Sequence, residues 1–290
     1  MKRTGAMFLA AVVAATTVLA GSSVWRAELD GEVVYLGGTC HMLRASDFPL
    51  PAEFDAAYAE ADTLYFETDL NAMQSPAVQM KILEEGMLGD GTVLSDHLKP
   101  ETWAALEEHC AKHGLPLAAF AQMKPWLLTV TLAVLEWQKN GAVQEGVDMH
   151  YHALAEKDGK TTAGLEDIDA HLQFVISIGD GQEDEMLLST LRDLETLPQM
   201  VSELIAAWRS GDIETMDTAM MADMRKEFPK VYTDLVTGRN HDWVPQVLAM
   251  FKQPGTEYVL VGVGHFGGEE GLIALLEAEG VTIELVEVEE

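Results

Sequence analysis

An apolar run closing on Gly-x-x-His occurs twice in this chain, once near each end: Val33–Val34–Tyr35–Leu36–Gly37–Gly38–Thr39–Cys40–His41 and Glu257–Tyr258–Val259–Leu260–Val261–Gly262–Val263–Gly264–His265. Each run is short, apolar and β-branched, so it predicts a strand, and the glycines predict a sharp turn behind it. Such a construction presents an imidazole at the carboxyl end of a strand, where open α/β sheets place their ligands. Two histidines in matching positions at opposite ends of the sequence predict one site shared by two half-units.

The flanking sequence extends the pattern. Val24–Leu29 alternates like a strand, and Asp30–Gly31 is a hairpin signal leading into the first histidine strand. Pro49 and Pro51 open a helix running to about Asp62, and Thr63–Glu67 reads as a second strand ending on a carboxylate. This spacing suits a βαβ unit with parallel strands whose ends lie side by side, facing His41 with Glu67. After His265, a helix over Glu270–Leu276 stops at Gly280, and Val281–Val286 supplies another strand. The expected fold is therefore α/β, with duplicated βαβ half-units sharing a central mixed sheet.

Between the units, residues 73–252 read as a helical insertion capping the site. A long apolar helix from Pro116 to Trp137 is expected to bend at Pro125, and Pro198 to break or kink the helix over Glu183–Trp208. Met216, Met220 and Met224, with Met221 beside them, form a stripe expected to pack in the core. With no linker in view, residues 21–290 are expected to form one domain.

Residues 1–20 read as a cleaved signal peptide: Lys2 and Arg3, an apolar stretch, then small residues ending at Ala20. The chain is accordingly expected in the periplasm or outside the cell, without stable membrane association after cleavage. Eighteen Lys+Arg against 48 Asp+Glu give a net charge of −30, which repels phosphate backbones and argues against a nucleic-acid partner. Cys40 and Cys110 leave three readings open: inert core thiols, a disulfide, or, for Cys40, chemistry beside His41.

Among the polar residues, His41 and His265 stand out by context, and Glu67 is an acid following Leu64–Tyr65–Phe66. Two imidazoles and one carboxylate suit Zn, Mn, Co or Fe. Asp148 and His150, two apart, would point to one side of an extended segment. Glu166 follows a short polar turn. Arg239, just before a helix with Asn240 as possible N-cap, could hold a carboxylate or stabilise an oxyanion.

Taken together, Tyr35–Leu36–Gly37–Gly38–Thr39–Cys40–His41, Tyr65–Phe66–Glu67, Gly146–Val147–Asp148–Met149–His150, Gly164–Leu165–Glu166, Arg239–Asn240 and Val261–Gly262–Val263–Gly264–His265 resemble the TraB/GumN family, which includes the Tiki proteins. That family is similar to the erythromycin esterases and to ChaN-like haem-binding proteins. The resemblance implies functional roles for His41, Glu67, Arg239 and His265, and Tiki members act as metal-dependent proteases. The expectation is a metal-dependent hydrolase, most simply a peptidase, acting on a peptide or a small ester or amide. His41, Glu67 and His265 would hold a divalent Mn, Co or Zn ion. Arg239 would stabilise an oxyanion, and Asp148, His150, Glu166 and Asn240 would orient the ligands. The rival expectations are a metal-independent esterase-type hydrolase and a non-catalytic haem-, metal- or peptide-binding protein.

Overall fold

Asp30 and Gly31 both adopt left-handed backbone, φ 53° and 89°, and turn β1 (Val24–Leu29) antiparallel onto β2 (Glu32–Thr39). The paired residues with positive φ are what a two-residue hairpin turn requires. The structure is a computed structural model describing residues 21–143 and 145–288; the expected signal peptide lies outside the described residues.

The remaining strands are β3 (Leu43–Arg44), β4 (Thr63–Thr68), β5 (Ala142–Val143), β6 (Thr161–Glu166), β7 (Glu257–Gly262) and β8 (Thr282–Leu285). Six of them build one mixed sheet in the order β6-β4-β7-β2-β1-β8, while β3 and β5 pair separately. Strands β6, β4, β7 and β2 are mutually parallel, and β1 is antiparallel to both β2 and β8. The α/β fold with a central mixed sheet is thus present.

Two expectations about the sheet change. First, β2 and β4 are parallel but not neighbours, because β7, from the far end of the sequence, inserts between them. Second, the segment between the half-units is not purely helical: β6 crosses back to form the edge of the sheet beside β4. A run of two threonines before Gly164 lacks the alternation that marks a strand, so its pairing is set by the sheet edge it completes.

Strand β7 is buried on both faces, as expected for a central parallel strand. Tyr258 and Leu260 pack with Phe54, Ala57 and Tyr58 of the helix Ala52–Glu60 on one face. Val259 and Val261 pack with Leu272 and Leu276 of the helix Leu272–Ala278 on the other. Each fully buried aliphatic side chain contributes roughly 1.5–3 kcal/mol. The connection leaving β2 therefore runs to one face and that leaving its neighbour β7 to the opposite face. A crevice opens at the carboxyl ends of those two strands, which is where this class of sheet binds ligands.

Gly37 and Gly38 lie inside β2 rather than in a turn. A Cβ on Gly37 would come within 2.7 Å of the Tyr258 hydroxyl, so the glycine serves close packing of β2 on β7.

The helices over the crevice also differ in detail. Leu117–Phe120 forms a separate 3₁₀ turn and the apolar helix begins at Pro125, running to Lys139, because proline suits a first helical turn. Glu183–Ser210 is one continuous 28-residue helix despite Pro198. No helix of the described residues is long and apolar enough to cross a membrane.

Candidate functional site

The two Gly-x-x-His histidines come together. His41 follows β2, His265 closes a 3₁₀ turn directly after β7, and Glu67 stands near the end of β4, the strand flanking β7 on its other side. Gly262 marks where they meet. A Cβ there would lie 3.1 Å from Glu67 Oε1, 3.6 Å from His41 Nε2 and 3.7 Å from His265 Cδ2. Its backbone N–H donates to Glu67 Oε1 at 2.8 Å. The missing side chain leaves an open cradle faced by two imidazoles and a carboxylate.

Each imidazole is held from behind. Asn240 donates its amide hydrogens to the backbone carbonyls of His265 and Glu270, at 3.1 and 2.8 Å. That orientation leaves Asn240 Oδ1 facing His265 Nδ1 at 2.8 Å. The proton of neutral His265 therefore sits on Nδ1, and its lone pair on Nε2. Asp148 Oδ1 lies 3.1 Å from His41 Nδ1, so His41 likewise directs Nε2 forward, 3.9 Å from Glu67 Oε1.

Arg239 is the hub of the charges. Its Nε donates to Glu166 Oε1 and its Nη2 to Glu67 Oε2, both at 2.6 Å. Nη2 also reaches Glu166 Oε2 at 3.0 Å. Nη1 donates to the Leu235 carbonyl at 3.1 Å and lies 3.3 Å from His265 Nε2. All five N–H groups of the guanidinium are thus engaged, leaving none for an oxyanion. The arginine is only 7% exposed, so the two carboxylates offset a charge removed from water.

Burial alone would raise Glu67, but Arg239, with His265 and His41, holds its carboxyl well below the ordinary range. Glu166 is lowered against its own burial by hydrogen bonds from His171 and Arg239. Burial lowers His265 to about 4, keeping it neutral near pH 7. The Asp148 carboxylate raises His41 to about 9. Burial, followed by Asp148 and Asp47, pushes the Cys40 thiol up to about 12, which removes it as a nucleophile near neutral pH. Cys40 and Cys110 are both free.

Local structure corrects several expectations. Asp148 and His150 lie on the helix Val147–Asp158 rather than an extended segment, so they diverge. Asp148 faces His41, whereas His150 packs against Phe48 and Tyr151. Arg239 and Asn240 lie inside the helix Gly238–Met250, which continues a π-helical stretch over Thr233–Thr237. Asn240 is therefore not an N-cap, and its side chain is free to hold His265. Glu166 ends β6 beside Thr68, which puts it next to Glu67.

Two residues escaped sequence reasoning. Trp243, one turn beyond Arg239, places its ring 4.6 Å from the guanidinium and, tilted by 44°, 4.5 Å from the His265 ring. His171 lies 2.9 Å from Glu166 Oε2. The four-residue spacing Arg239–Trp243 was the available signal for the first; nothing local marks the second.

In front of these groups lies a cavity of about 630 Å³. Its far wall includes Trp137, Leu204, Ile205 and all four methionines of the stripe. Only Met216 is fully buried there, and Met220 is 40% exposed. Met216 packs in the core as expected and Met224 packs against a smaller cluster, while the stripe as a whole also lines the cavity on the helix Ile213–Glu227.

The three expected ligands do not all stand within 4.8 Å of one another. Among the described residues, the His, Cys, Asp and Glu group meeting that spacing is His109, His113 and Glu195, elsewhere in the molecule.

The family model described as TraB/PrgY/gumN matches residues 23–285. This chain belongs to that family. It is also similar to the "Uncharacterized protein YbaP" of Escherichia coli strain K12, at 23% identity over 243 residues, covering 83% of this chain and 87% of that protein. The Shigella flexneri protein of the same name gives the same figures. No solved structure matches. Within this TraB/PrgY/gumN chain, the matched region spans every residue of the site, from His41 to His265.

Proposed function

We propose that this chain is an extracytoplasmic metal-dependent hydrolase, cleaving a peptide or a small ester or amide. The observation that carries the reading is the pair of imidazoles fixed at Nδ1 by Asp148 and Asn240, with His41 Nε2, the His265 ring edge and Glu67 Oε1 around the Gly262 cradle. Histidines that ligate metals are characteristically held this way through the other ring nitrogen.

The donor set fits a divalent cation. His41, His265 and Glu67 would hold it, a nitrogen-and-oxygen set suited to Zn, Mn or Co. With neutral imidazoles, Glu67, Glu166 and Asp148 against Arg239 leave two negative charges, which such an ion balances. His265 Nε2 would exchange its contact with the Arg239 cation for another cation. Bound there, a divalent ion supplies a water acidic enough to attack near neutral pH.

The chain's own groups do the rest. Arg239 keeps Glu67 ionised and stationary, acting as a positioning residue. Trp243 shields the guanidinium and His265 from water on one side. The apolar cavity receives the substrate beside the imidazoles. In a metal-independent route a histidine and Glu67 would activate water directly, and the Glu67 carboxyl, held well below its ordinary range by Arg239, is a weak base for that task. Removing metal with a chelator, then restoring Mn, Co or Zn against a panel of peptides and esters, tests the reading. Turnover lost and regained supports it; turnover unchanged by chelation overturns it, and ligand retention without hydrolysis replaces it with a binding role.

A further inference from the structure

Outside the crevice, the helix Pro100–His113 carries His109 and His113 one turn apart, on the face that packs against the helix Glu183–Ser210. Glu195 on that second helix meets both. Its Oε1 lies 3.1 Å from His113 Nε2 and 3.7 Å from His109 Nδ1. Ligands around a tetrahedral zinc ion stand about 3.4 Å apart, so these spacings need little adjustment.

We propose that His109, His113 and Glu195 form a second, structural site for a divalent cation of the zinc class, clipping these two helices together. Four observations point the same way. The two imidazoles follow the four-residue helical spacing that sets two nitrogens on one face. His109 is buried, with its side chain 5% exposed, and among the described residues its ring meets a carboxylate only in the 3.7 Å approach of Nδ1 to Glu195. Burial also lowers its affinity for a proton. Third, Lys112 occupies Glu195 Oε2, leaving Oε1 for an ion. Fourth, two imidazoles and one carboxylate leave a fourth position for water, an arrangement that zinc accepts.

Lys139 Nζ lies 3.0 Å from His113 Nδ1 and competes for the same charge. Its side chain is 55% exposed and has Glu136 as an alternative partner at 3.2 Å. The lysine therefore turns to Glu136 when His113 binds the ion and carries its proton on Nδ1. None of His109, His113 and Glu195 lines the crevice, so the inference stands whether or not the hydrolase reading does.

The test titrates zinc into full-length His41→Ala/His265→Ala protein, which lacks the imidazoles of the other centre. Binding is followed by calorimetry and the melting temperature by circular dichroism. One zinc per chain and a rise in Tm are expected. Adding His113→Ala or Glu195→Gln, both at partly exposed positions, should weaken binding about tenfold or more and abolish the rise. Imidazole nitrogen NMR of the wild-type chain reads the same event without touching the crevice, as zinc-dependent shifts of His109 and His113. Equal zinc affinity with and without Glu195→Gln, or His109 and His113 signals unmoved by zinc, overturns the proposal.

Discussion

Asn240 Oδ1 stands 2.8 Å from His265 Nδ1, and the same amide ties down the backbone on both sides of the following loop, at His265 and Glu270. One buried side chain thereby sets the direction, the tautomer and the support of an imidazole far from it in sequence. Asn240→Ala strands those partners, and the expected cost is about 1–3 kcal/mol of stability by urea denaturation. Metal affinity should fall about 10–100-fold. Unaltered affinity in a folded variant would show that the tautomer is immaterial.

Gly262→Ala separates folding from function. The residue has φ −50° and ψ 133°, which alanine adopts without strain. Its methyl group would occupy the cradle 3.1 Å from Glu67 Oε1. The expected variant stays within about 1 kcal/mol of wild-type stability while losing metal binding and hydrolysis. Calorimetric titration beside a melting curve measures both.

Arg239 is irreplaceable by lysine, whose single ammonium cannot span Glu67, Glu166 and the Leu235 carbonyl together. Arg239→Met leaves two buried carboxylates unpaired and should cost about 3–5 kcal/mol. Adding Glu67→Gln and Glu166→Gln should restore most of that loss without restoring activity. Chemical denaturation of wild type, Arg239→Met, Glu67→Gln/Glu166→Gln and the triple variant reads the coupling.

Stability should decline on both sides of neutrality. Burial depresses His265 to about 4, so the unfolded chain binds that proton more readily. Stability is full above the ordinary imidazole value of about 6.5 and falls as the pH drops towards 4, by on the order of 3 kcal/mol. Asp148 raises His41, and that contribution is present below about 6.5 and is lost as the pH climbs towards about 9. It is the smaller arm, since the His41 side chain is 63% exposed and screened. Urea midpoints across this range, repeated with Asp148→Asn, should show the alkaline arm disappear and the acid arm remain.

The strands bearing His41, Glu67 and His265 were legible because each is a short apolar run with its chemistry at one end. Their order in the sheet was not. Insertion of β7 between β2 and β4 is a long-range pairing that leaves no local trace, and β6 has too little alternation to announce itself. Residues near the site but on helices were misread for a related reason. Asp148 and His150 were paired by a period of two, whereas the helical period sends only Asp148 towards His41. Arg239 was visible as a cation near the site, but its partners Glu67, Glu166, Leu235 and His265 come from separate elements, so its positioning role needed the fold.

The most direct measurement is metal content together with turnover in protein purified without chelator, comparing wild type with His41→Ala/His265→Ala. The account predicts that the double variant loses one equivalent of divalent ion per chain and all hydrolysis, while keeping its fold by circular dichroism. Equal metal content in the two proteins, with turnover that survives chelation, would contradict it.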